Sequence, residues 1–449
     1  MIKASLKSSK MSAVRILALG FAVIILLGGV ILSLPICSRE GRYTSLMDSL
    51  FTATSAVCVT GLVTVDTGTY WNTFGQVVIM TLIEIGGLGF MSITTFIAVI
   101  LGKKITLRDR LIMQEAMNTF KIQGLVNMVR YVLSLTIGIQ ILGAALLSTV
   151  FVPQYGVYKG LFYSLFHSIS AFCNAGFDLI GDFSSLTRYN GNYMMIIVIS
   201  ILIIIGGLGF SVLIELINYR KTKRISVNSK IVLSVTGGLI LGGALIIFLV
   251  EYNNPSTLGE MSLGHKILNA FFSSVTPRTA GFNSISTGDM SMAGKLATII
   301  LMFIGGSPGS TAGGLKTATF GILIITVISV LRGREETEAF GRRFSKETVY
   351  KTFTLFAIGM LIVITVTMIL TITEPSQKFV DLLYEASSAF GTAGLTTGVT
   401  QQITNWISKV VLIFAMYCGR VGPLTVIMAV MHKKKKTGIK YPEGKILIG

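Results

Sequence analysis

One short segment occurs four times along the chain, and this internal repeat constrains the fold more than any other feature. The four copies align without gaps around a glycine, with an aromatic residue ten positions before it and Leu or Phe directly after it. They occupy residues 51–62, 166–177, 271–282 and 384–395. Because successive glycines are 115, 105 and 113 residues apart, each period has room for one helix, one loop and a second helix.

Apolar stretches flank every copy of the repeat. The chain is 52% hydrophobic and only 13% charged, which no single soluble core could absorb. Since about 20 helical residues cross a bilayer, we predict eight transmembrane helices in an all-α polytopic membrane protein. The candidate spans are residues 16–34, 74–101, 131–152, 193–217, 231–250, 296–331, 353–372 and 406–431. The first span has 19 apolar residues, which exceeds a typical signal-peptide core, so we interpret it as an anchored helix.

The basic residues predict the orientation of the chain in the membrane. Of the 38 Lys and Arg residues, 27 lie in five segments that an even number of helices would place on one side. These are residues 1–15, 102–130, 219–230, 332–351 and 432–449. The positive-inside rule therefore puts both termini in the cytoplasm and explains the net charge of +18 without nucleic acid. The lysine run at residues 433–436 is either an anchor at anionic lipid or a docking site for a cytoplasmic partner.

The repeated glycine segments are predicted to be re-entrant loops that line a pore with pseudo-fourfold symmetry. Short helical stretches precede them, such as residues 44–56 and 376–389, and these cannot cross a bilayer. Irregular backbone at membrane depth must be buried in protein or line a water-filled path. A single copy could equally be a helix-packing motif, but four copies in register favour a pore.

Glycine suits such a loop because it adopts the backbone conformations, often with positive φ, that aim carbonyl oxygens at an ion. Rings of carbonyls can replace the hydration shell of potassium, and the short helices can point their negative ends at it. The predicted potassium-binding backbone comprises Cys58, Val59, Thr60, Gly61, Cys173, Asn174, Ala175, Gly176, Arg278, Thr279, Ala280, Gly281, Gly391, Thr392, Ala393 and Gly394.

A second glycine motif follows each loop by 24 to 30 residues, at positions 86–89, 206–209, 305–309 and 419–422. In the first two copies, close helix packing explains these glycines at least as well as a place near the pore axis. The third copy begins a stretch that should interrupt its helix, and we predict a broken helix there with a polar loop just below the filter. The family resemblance described below implies that this loop and the charged residue of the fourth copy form the gate, which comprises Gly305, Gly306, Ser307, Pro308, Gly309, Ser310, Thr311, Ala312, Gly313, Gly314, Lys316 and Arg420.

Two gate residues are charged and lie within apolar spans. Arg420 is near mid-span, where a charge costs about 2.5–3.5 kcal/mol, so it is expected to face a cavity. Lys316 is nearer the cytoplasmic side and could instead extend toward the interface. Glu84 is a possible partner for either cation.

Residues that would indicate other classes of protein are scarce. A secondary symporter would ordinarily carry intramembrane carboxylates or histidines, and apart from Glu84 the spans are nearly free of them. His167 lies in a short pore helix, where a packing or hydrogen-bonding role is expected. No motif for an intramembrane enzyme is present. Cys37, Cys58, Cys173 and Cys418 have no CxxC spacing, so we expect free thiols rather than disulfides or a metal site.

These motifs resemble the Trk/Ktr/HKT superfamily of potassium transporters, and within it the membrane subunits of bacterial Ktr systems. The resemblance rests on the segments at residues 58–62, 174–177, 275–282 and 390–395, the 305–316 loop and residues 419–423, and it extends from about residue 15 to residue 444. It implies that Gly61, Gly176, Gly281 and Gly394 are the filter glycines. Cys58 stands where threonine is common in the family. This difference affects the outermost ion site rather than the selectivity for potassium. Glycine at all four positions is similar to the potassium-selective members, unlike plant relatives with serine in the first filter.

The resemblance also implies a homodimer in the bacterial cell membrane, with one pore per protomer. Each dimer would dock on a cytosolic ring of KtrA-like RCK subunits that bind ATP or ADP, and K⁺ would be the transported ion, with no organic cofactor on this chain. The expected organisation is a cytoplasmic N-terminus (1–15), repeat 1 (16–101), repeat 2 (102–218), repeat 3 with a broken second helix (219–331), repeat 4 (332–431) and a cytoplasmic tail (432–449).

Overall fold

A computed structural model of the protein describes residues 12–89, 114 and 125–430. Predictions for the N-terminal basic segment, the end of the 74–101 span and the lysine run at 433–436 lie outside the described residues. Within them the fold is almost entirely helical, and a two-stranded antiparallel hairpin pairs β1 (Glu338–Ala339) with β2 (Arg342–Arg343).

The described helices follow one order four times: a long helix, a short helix, a loop and a third helix. The long helices are α1 (Ala13–Ser33), α4 (Leu125–Tyr155), α8 (Val227–Glu251) and α12 (Lys346–Thr373). The short helices are α2 (Leu46–Val57), α5 (Val157–Phe172), α9 (Leu263–Val275) and α13 (Phe379–Gly391). The third helices are α3 (Thr73–Leu88), α6 (Tyr193–Leu208) continued by α7 (Phe210–Thr222), α10 (Met292–Phe303) followed by α11 (Thr317–Leu331), and α15 (Trp406–Val421) continued by α16 (Pro423–Val430). A single turn, α14 (Val399–Gln402), precedes α15.

Four described helices, α1, α4, α8 and α12, are long and apolar enough to cross a membrane by themselves. Two bent pairs, α6 with α7 and α15 with α16, satisfy the same criterion when each pair is taken as one span. The chain is thus a multi-pass membrane protein by length and composition. The C-terminal halves of the short helices are largely buried instead, with every residue of α2 from Phe51 to Val57 enclosed by protein, as re-entrant segments require.

The third helices break more often than the sequence predicted. The expected interruption is confirmed between α10 and α11, but the spans at 193–217 and 406–431 are also bent, each by 99°. Gly209 and Gly422 occupy the two bends with φ of +89° and +95°. A left-handed residue cannot continue a right-handed helix, so Gly209 and Gly422 end their helices instead of packing within them.

Two ion pairs at equivalent positions join neighbouring repeats. Lys295 Nζ on α10 lies 2.7 Å from Asp381 Oδ1 on α13, and Lys409 Nζ on α15 lies 2.6 Å from Asp48 Oδ1 on α2. The four side chains are only 10–19% exposed. Both carboxylates lie in the first turn of a short helix, where the helix dipole favours negative charge. The second pair links the last repeat to the first.

Replacing Lys295 with methionine should lower the unfolding temperature of the detergent-purified protein by several degrees, because Asp381 would keep a largely buried, unpaired charge. Breaking a fully buried pair costs about 3–5 kcal/mol, and the partial exposure here reduces that figure. Lys295→Met/Asp381→Leu should recover most of the loss. Lys378→Met removes an exposed lysine near the same helix and serves as the control. A single variant as stable as the control would show that the pair is unimportant.

Candidate ion pathway

The four repeated loops share a backbone arrangement that directs their N–H groups away from the centre. The amide just before each glycine donates to the end of the short helix behind it: Thr60 N to Ser55 O, Ala175 N to Ser170 O and Ala393 N to Ser388 O at 2.8 Å, and Ala280 N to Thr276 O at 2.9 Å. The carbonyl oxygens of these four residues accept no hydrogen bond from any described residue. They are therefore available to a ligand that accepts lone pairs, such as a cation.

Positive φ angles recur at two positions in every loop. The glycines Gly61, Gly176, Gly281 and Gly394 have φ between +69° and +98°. Two residues before them, Val59, Asn174, Thr279 and Thr392 are also left-handed, with φ between +48° and +69°. Such backbone costs energy for residues with a Cβ and persists where surrounding structure enforces it. The sequence indicated the glycines but not these four partners.

The four loops meet in a closed ring. A Cβ added to Gly61 would lie 2.6 Å from Ala175 O, and one added to Gly176 would lie 2.7 Å from Ala280 O. A Cβ on Gly281 would lie 3.1 Å from Ala393 O, and one on Gly394 would collide with Thr60 O, which closes the ring in chain order. Each glycine thus faces a carbonyl of the next loop, and a side chain at any of them would displace that carbonyl.

The second glycine motif supports the ring from behind. A Cβ on Gly86, Gly206 or Gly419 would collide with the carbonyl oxygen of Val57, Phe172 or Phe390, each of which lies at the end of a short helix. The packing interpretation is therefore confirmed for Gly86 and Gly206 of the first two motifs, and Gly419 of the fourth motif packs in the same way. The last glycine of the motif has the separate role of ending the helix, as described for Gly209 and Gly422.

The segment between α10 and α11 forms an ordered loop, and we call residues 305–316 the gate loop. Ile304 and Leu315 form a parallel bridge that closes its base. Ser307 N donates to Gly207 O at 2.9 Å, and Thr311 N donates to Gly206 O at 3.3 Å, which attaches the loop to α6. Gly314 N donates to Gly419 O on α15 at 3.2 Å. The loop therefore spans three of the four repeats.

Arg420 joins the gate loop to the first repeat. Its guanidinium donates to the carbonyl oxygens of Thr311, Gly86 and Gly87, the last at 3.1 Å. A planar guanidinium can serve several carbonyls at once. Among the described residues, no carboxylate lies within ion-pair distance of Arg420.

The possible pairing of Glu84 with Arg420 or Lys316 is not found among the described residues. Glu84 Oε2 instead accepts from Gln140 Nε2 at 2.9 Å and from the Cys173 thiol at 3.3 Å, because its side chain is directed toward α4 and the second loop. Lys316 Nζ donates to Ala312 O at 2.7 Å, so it closes the gate loop on itself. All four cysteines are free and buried, as expected.

A cavity of about 860 Å³ lies against the gate loop and Arg420. It is lined by Gly309, Ser310, Ala312 and Leu315, and none of the predicted filter residues reaches it. Its described lining includes four cationic residues, Arg15, Lys316, Lys351 and Arg420, and no acidic one. The gate loop and Arg420 therefore lie between this cavity and the ring of loops.

Two side chains nine positions before a loop glycine brace the chain beyond it. His167 Nε2 accepts from Leu179 N at 3.4 Å while its Nδ1 contacts Tyr163 O at 2.7 Å, which confirms a hydrogen-bonding role. At the equivalent position in the fourth repeat, Glu385 accepts from Thr397 N at 2.9 Å and from three threonine hydroxyls. Sequence reasoning missed Glu385, although a charged residue within a re-entrant helix was a usable signal.

Two carboxylates, Asp66 and Asp178, follow the first two loops of the ring. Asp66, beyond the first loop, accepts from Thr69 N and Phe183 N, each at 2.7 Å, and so ties the second repeat to the first. Burial, together with the charge of Asp66, raises the pKa of Asp178 to about 7.

A membrane-embedded bundle around a ring of unpaired carbonyls defines a membrane transport protein. A sequence model of the TrkH family, described as a cation transport protein, matches residues 22–437. The chain belongs to this family.

Proteins of known name extend the comparison. The chain is 46% identical over 445 residues to the potassium/sodium uptake protein NtpJ of Enterococcus hirae, covering 98% of both. It is 43% identical over 437 residues to the Ktr system potassium uptake protein B of Bacillus subtilis, covering 97% of this chain and 96% of the relative. The crystal structure of the potassium transporter TrkH from Vibrio parahaemolyticus aligns with a TM-score of 0.74 at 18% identity, over 95% of this chain and 86% of that one. This last match concerns the fold alone.

Replacing Arg420 with alanine should raise basal cation flux by about tenfold or more. The change removes one charge-assisted hydrogen bond to the gate loop and two to α3, which together join the gate loop to the first repeat, and each is typically worth about 1.5–3 kcal/mol. Arg420→Lys keeps the charge but cannot donate to three carbonyls at once. It should therefore also raise the basal flux, but by less than Arg420→Ala does. Rubidium flux into proteoliposomes measures both, normalised to inserted protein. Unchanged flux in well-folded Arg420→Ala would exclude a role for Arg420 in closing the pathway.

Proposed function

We propose that this protein moves potassium ions across the bacterial cell membrane through the ring of four loops. The observation that carries the proposal is the ring itself, in which each filter glycine faces a free carbonyl oxygen of the next loop. Such oxygens can replace the hydration shell of K⁺, which is the transported ion and needs no organic cofactor. The names of the two uptake proteins that are 43% and 46% identical support the same substrate class.

The architecture we propose has eight transmembrane helices in four helix–pore-loop–helix repeats around a pseudo-fourfold axis. The four long helices, the two bent pairs, the predicted span 74–101 that begins with α3 and the interrupted α10–α11 pair supply eight crossings. The repeats retain the boundaries given by the sequence, 16–101, 102–218, 219–331 and 332–431. Basic residues on alternate connections support a cytoplasmic location for both termini.

The proposed filter consists of the four segments 58–61, 173–176, 278–281 and 391–394, which coordinate through backbone. The proposed gate consists of the gate loop and Arg420. Their hydrogen bonds to three other elements support a closed position in this structure. The regulatory proposal is a homodimer on a cytosolic ring of RCK subunits that bind ATP or ADP, since α11 continues from the gate loop toward the basic 332–351 segment.

The test of the proposed function is rubidium flux into liposomes that contain this chain alone, followed by the chain with a candidate RCK subunit and ATP or ADP. We expect potassium to compete with rubidium at much lower concentration than sodium does. The sodium arm addresses the second candidate, combined potassium and sodium uptake, which the name of the Enterococcus relative favours. Equal competition by both ions would contradict a potassium-selective filter.

A further inference from the structure

One residue of the gate loop touches the filter through its side chain. The hydroxyl of Thr311 lies 3.0 Å from Asn174 Oδ1 and 3.2 Å from Phe172 O, in the second filter loop and the helix end before it. Both Thr311 and Asn174 are fully buried. Because a hydroxyl has a single proton, the shorter contact identifies Asn174 as the main acceptor.

The orientation of the Asn174 amide is set by its other neighbours. Its Nδ2 donates to Ile203 O at 3.3 Å and to Arg278 O in the third filter loop at 3.4 Å. Two carbonyls can only accept, so this end of the amide must carry the nitrogen, and Oδ1 is left to face Thr311. The side chain therefore connects two filter loops and the gate loop.

Thr311 is held at all of its polar groups. Its N–H donates to Gly206 O, its carbonyl oxygen accepts from Arg420, and its hydroxyl reaches the filter. The gate loop cannot move away from Arg420 without also withdrawing this hydroxyl from Asn174. A buried Oδ1 left without a donor costs roughly 1–3 kcal/mol, which the filter loop would relieve by changing its own arrangement.

We propose that the Thr311–Asn174 hydrogen bond couples ion binding in the filter to the position of the gate loop, with Asn174 as a positioning residue. The proposal rests on the proposed function and adds a regulatory connection to it. Asn174 has φ +59°, a left-handed conformation that asparagine tolerates. Because the same residue forms part of the filter backbone, a change in its side-chain contact with Thr311 acts directly on that backbone. Coupling between two sites is reciprocal. Potassium bound in the filter therefore stabilises the gate loop in the position where Thr311 contacts Asn174, and release of the loop weakens potassium binding.

Thr311→Val is the variant that separates this contact from the rest of the loop, because it removes the hydroxyl and keeps the shape. The matched control is Thr317→Val, whose hydroxyl donates to Ser307 Oγ at 3.1 Å in the same region without reaching the filter. Thr311→Ser keeps the hydroxyl and should restore wild-type behaviour. The readouts are the maximal rate of rubidium uptake by full-length protein in liposomes and the rubidium concentration that gives half of it.

We expect Thr311→Val to raise the half-saturating concentration about three- to tenfold and also to raise the basal rate. Thr317→Val should change the rate alone. Asn174→Ala should reproduce the shift, and the double variant Thr311→Val/Asn174→Ala should shift no further than Asn174→Ala, since contacting residues are not additive. If Thr311→Val does not fold, Thr311→Ala removes the same hydrogen bond to Asn174. The thermal stabilisation of the detergent-purified protein by potassium then reports its affinity for the ion without a flux measurement.

Three results would overturn the proposal: an unchanged half-saturating concentration in Thr311→Val, an equal shift in Thr317→Val, or fold-changes that multiply in the double variant. A wild-type protein without selective rubidium uptake is a different outcome, because it would refute the proposed function and not the contact. The two failures are therefore distinguishable in the same set of vesicles.

Discussion

Serine at Gly394 or Gly281 is expected to reduce the preference for potassium over sodium by at least about tenfold. A residue with a Cβ pays about 1–2 kcal/mol in left-handed backbone, and φ here is +80° and +82°. The new atoms also collide with the ring, since a Cβ on Gly394 meets Thr60 O and one on Gly281 lies 2.9 Å from Gly176 Cα. Displaced carbonyls no longer match the potassium hydration shell.

The measurement is competition of sodium and potassium against rubidium uptake in proteoliposomes, together with the amount of inserted protein. Gly242→Ser is the matched control, because a Cβ on this glycine of α8 meets nothing within 4 Å. We expect the control to keep wild-type discrimination. If both filter variants discriminated between the ions as the wild type does, the four-loop filter would have to be abandoned.

The ring could be predicted from sequence because its determinants are local and repeated. Gly61 and its three equivalents are the residue type that left-handed backbone favours. The composition of the glycine-rich 305–316 segment indicates a broken helix. Four copies in register then turn weak local signals into a strong one. No long-range information was needed for these features.

Features that depend on contacts between repeats could not be predicted in the same way. Val59 carries no sign that it is left-handed, because a β-branched residue seldom adopts a positive φ. Glu84 was considered a possible partner for Arg420 or Lys316, since carboxylates are scarce in the predicted spans, whereas the face of α3 on which it lies directs it to Gln140 and Cys173. Gly209 was expected either to pack between helices or to lie near the pore axis, whereas its φ of +89° shows that it ends a helix.

Shortening the gate loop within residues 309–314, with the flanking helices kept in register, should produce a pathway that conducts potassium at a high rate. The deletion removes the Thr311 carbonyl that Arg420 binds and the Gly314 amide that donates to Gly419, so two of the bonds that attach the segment to neighbouring repeats are lost. A partner that acts on α11 needs only a few kcal/mol of differential binding to shift a loop between two positions. Without the loop, flux should be the same whichever nucleotide the partner holds.

The preference for potassium over sodium should survive this deletion, because the glycine ring is built by other segments, while the half-saturating concentration should rise as in Thr311→Val. Flux of the deletion variant is compared in vesicles without the partner, with the partner and ATP, and with the partner and ADP. Arg420→Ala in the intact chain is the control that releases the loop without removing it. If the difference in flux between ATP and ADP were as large in the deletion variant as in the wild type, the gate would lie elsewhere. Sodium flux equal to potassium flux would mean that the gate loop is itself part of the filter.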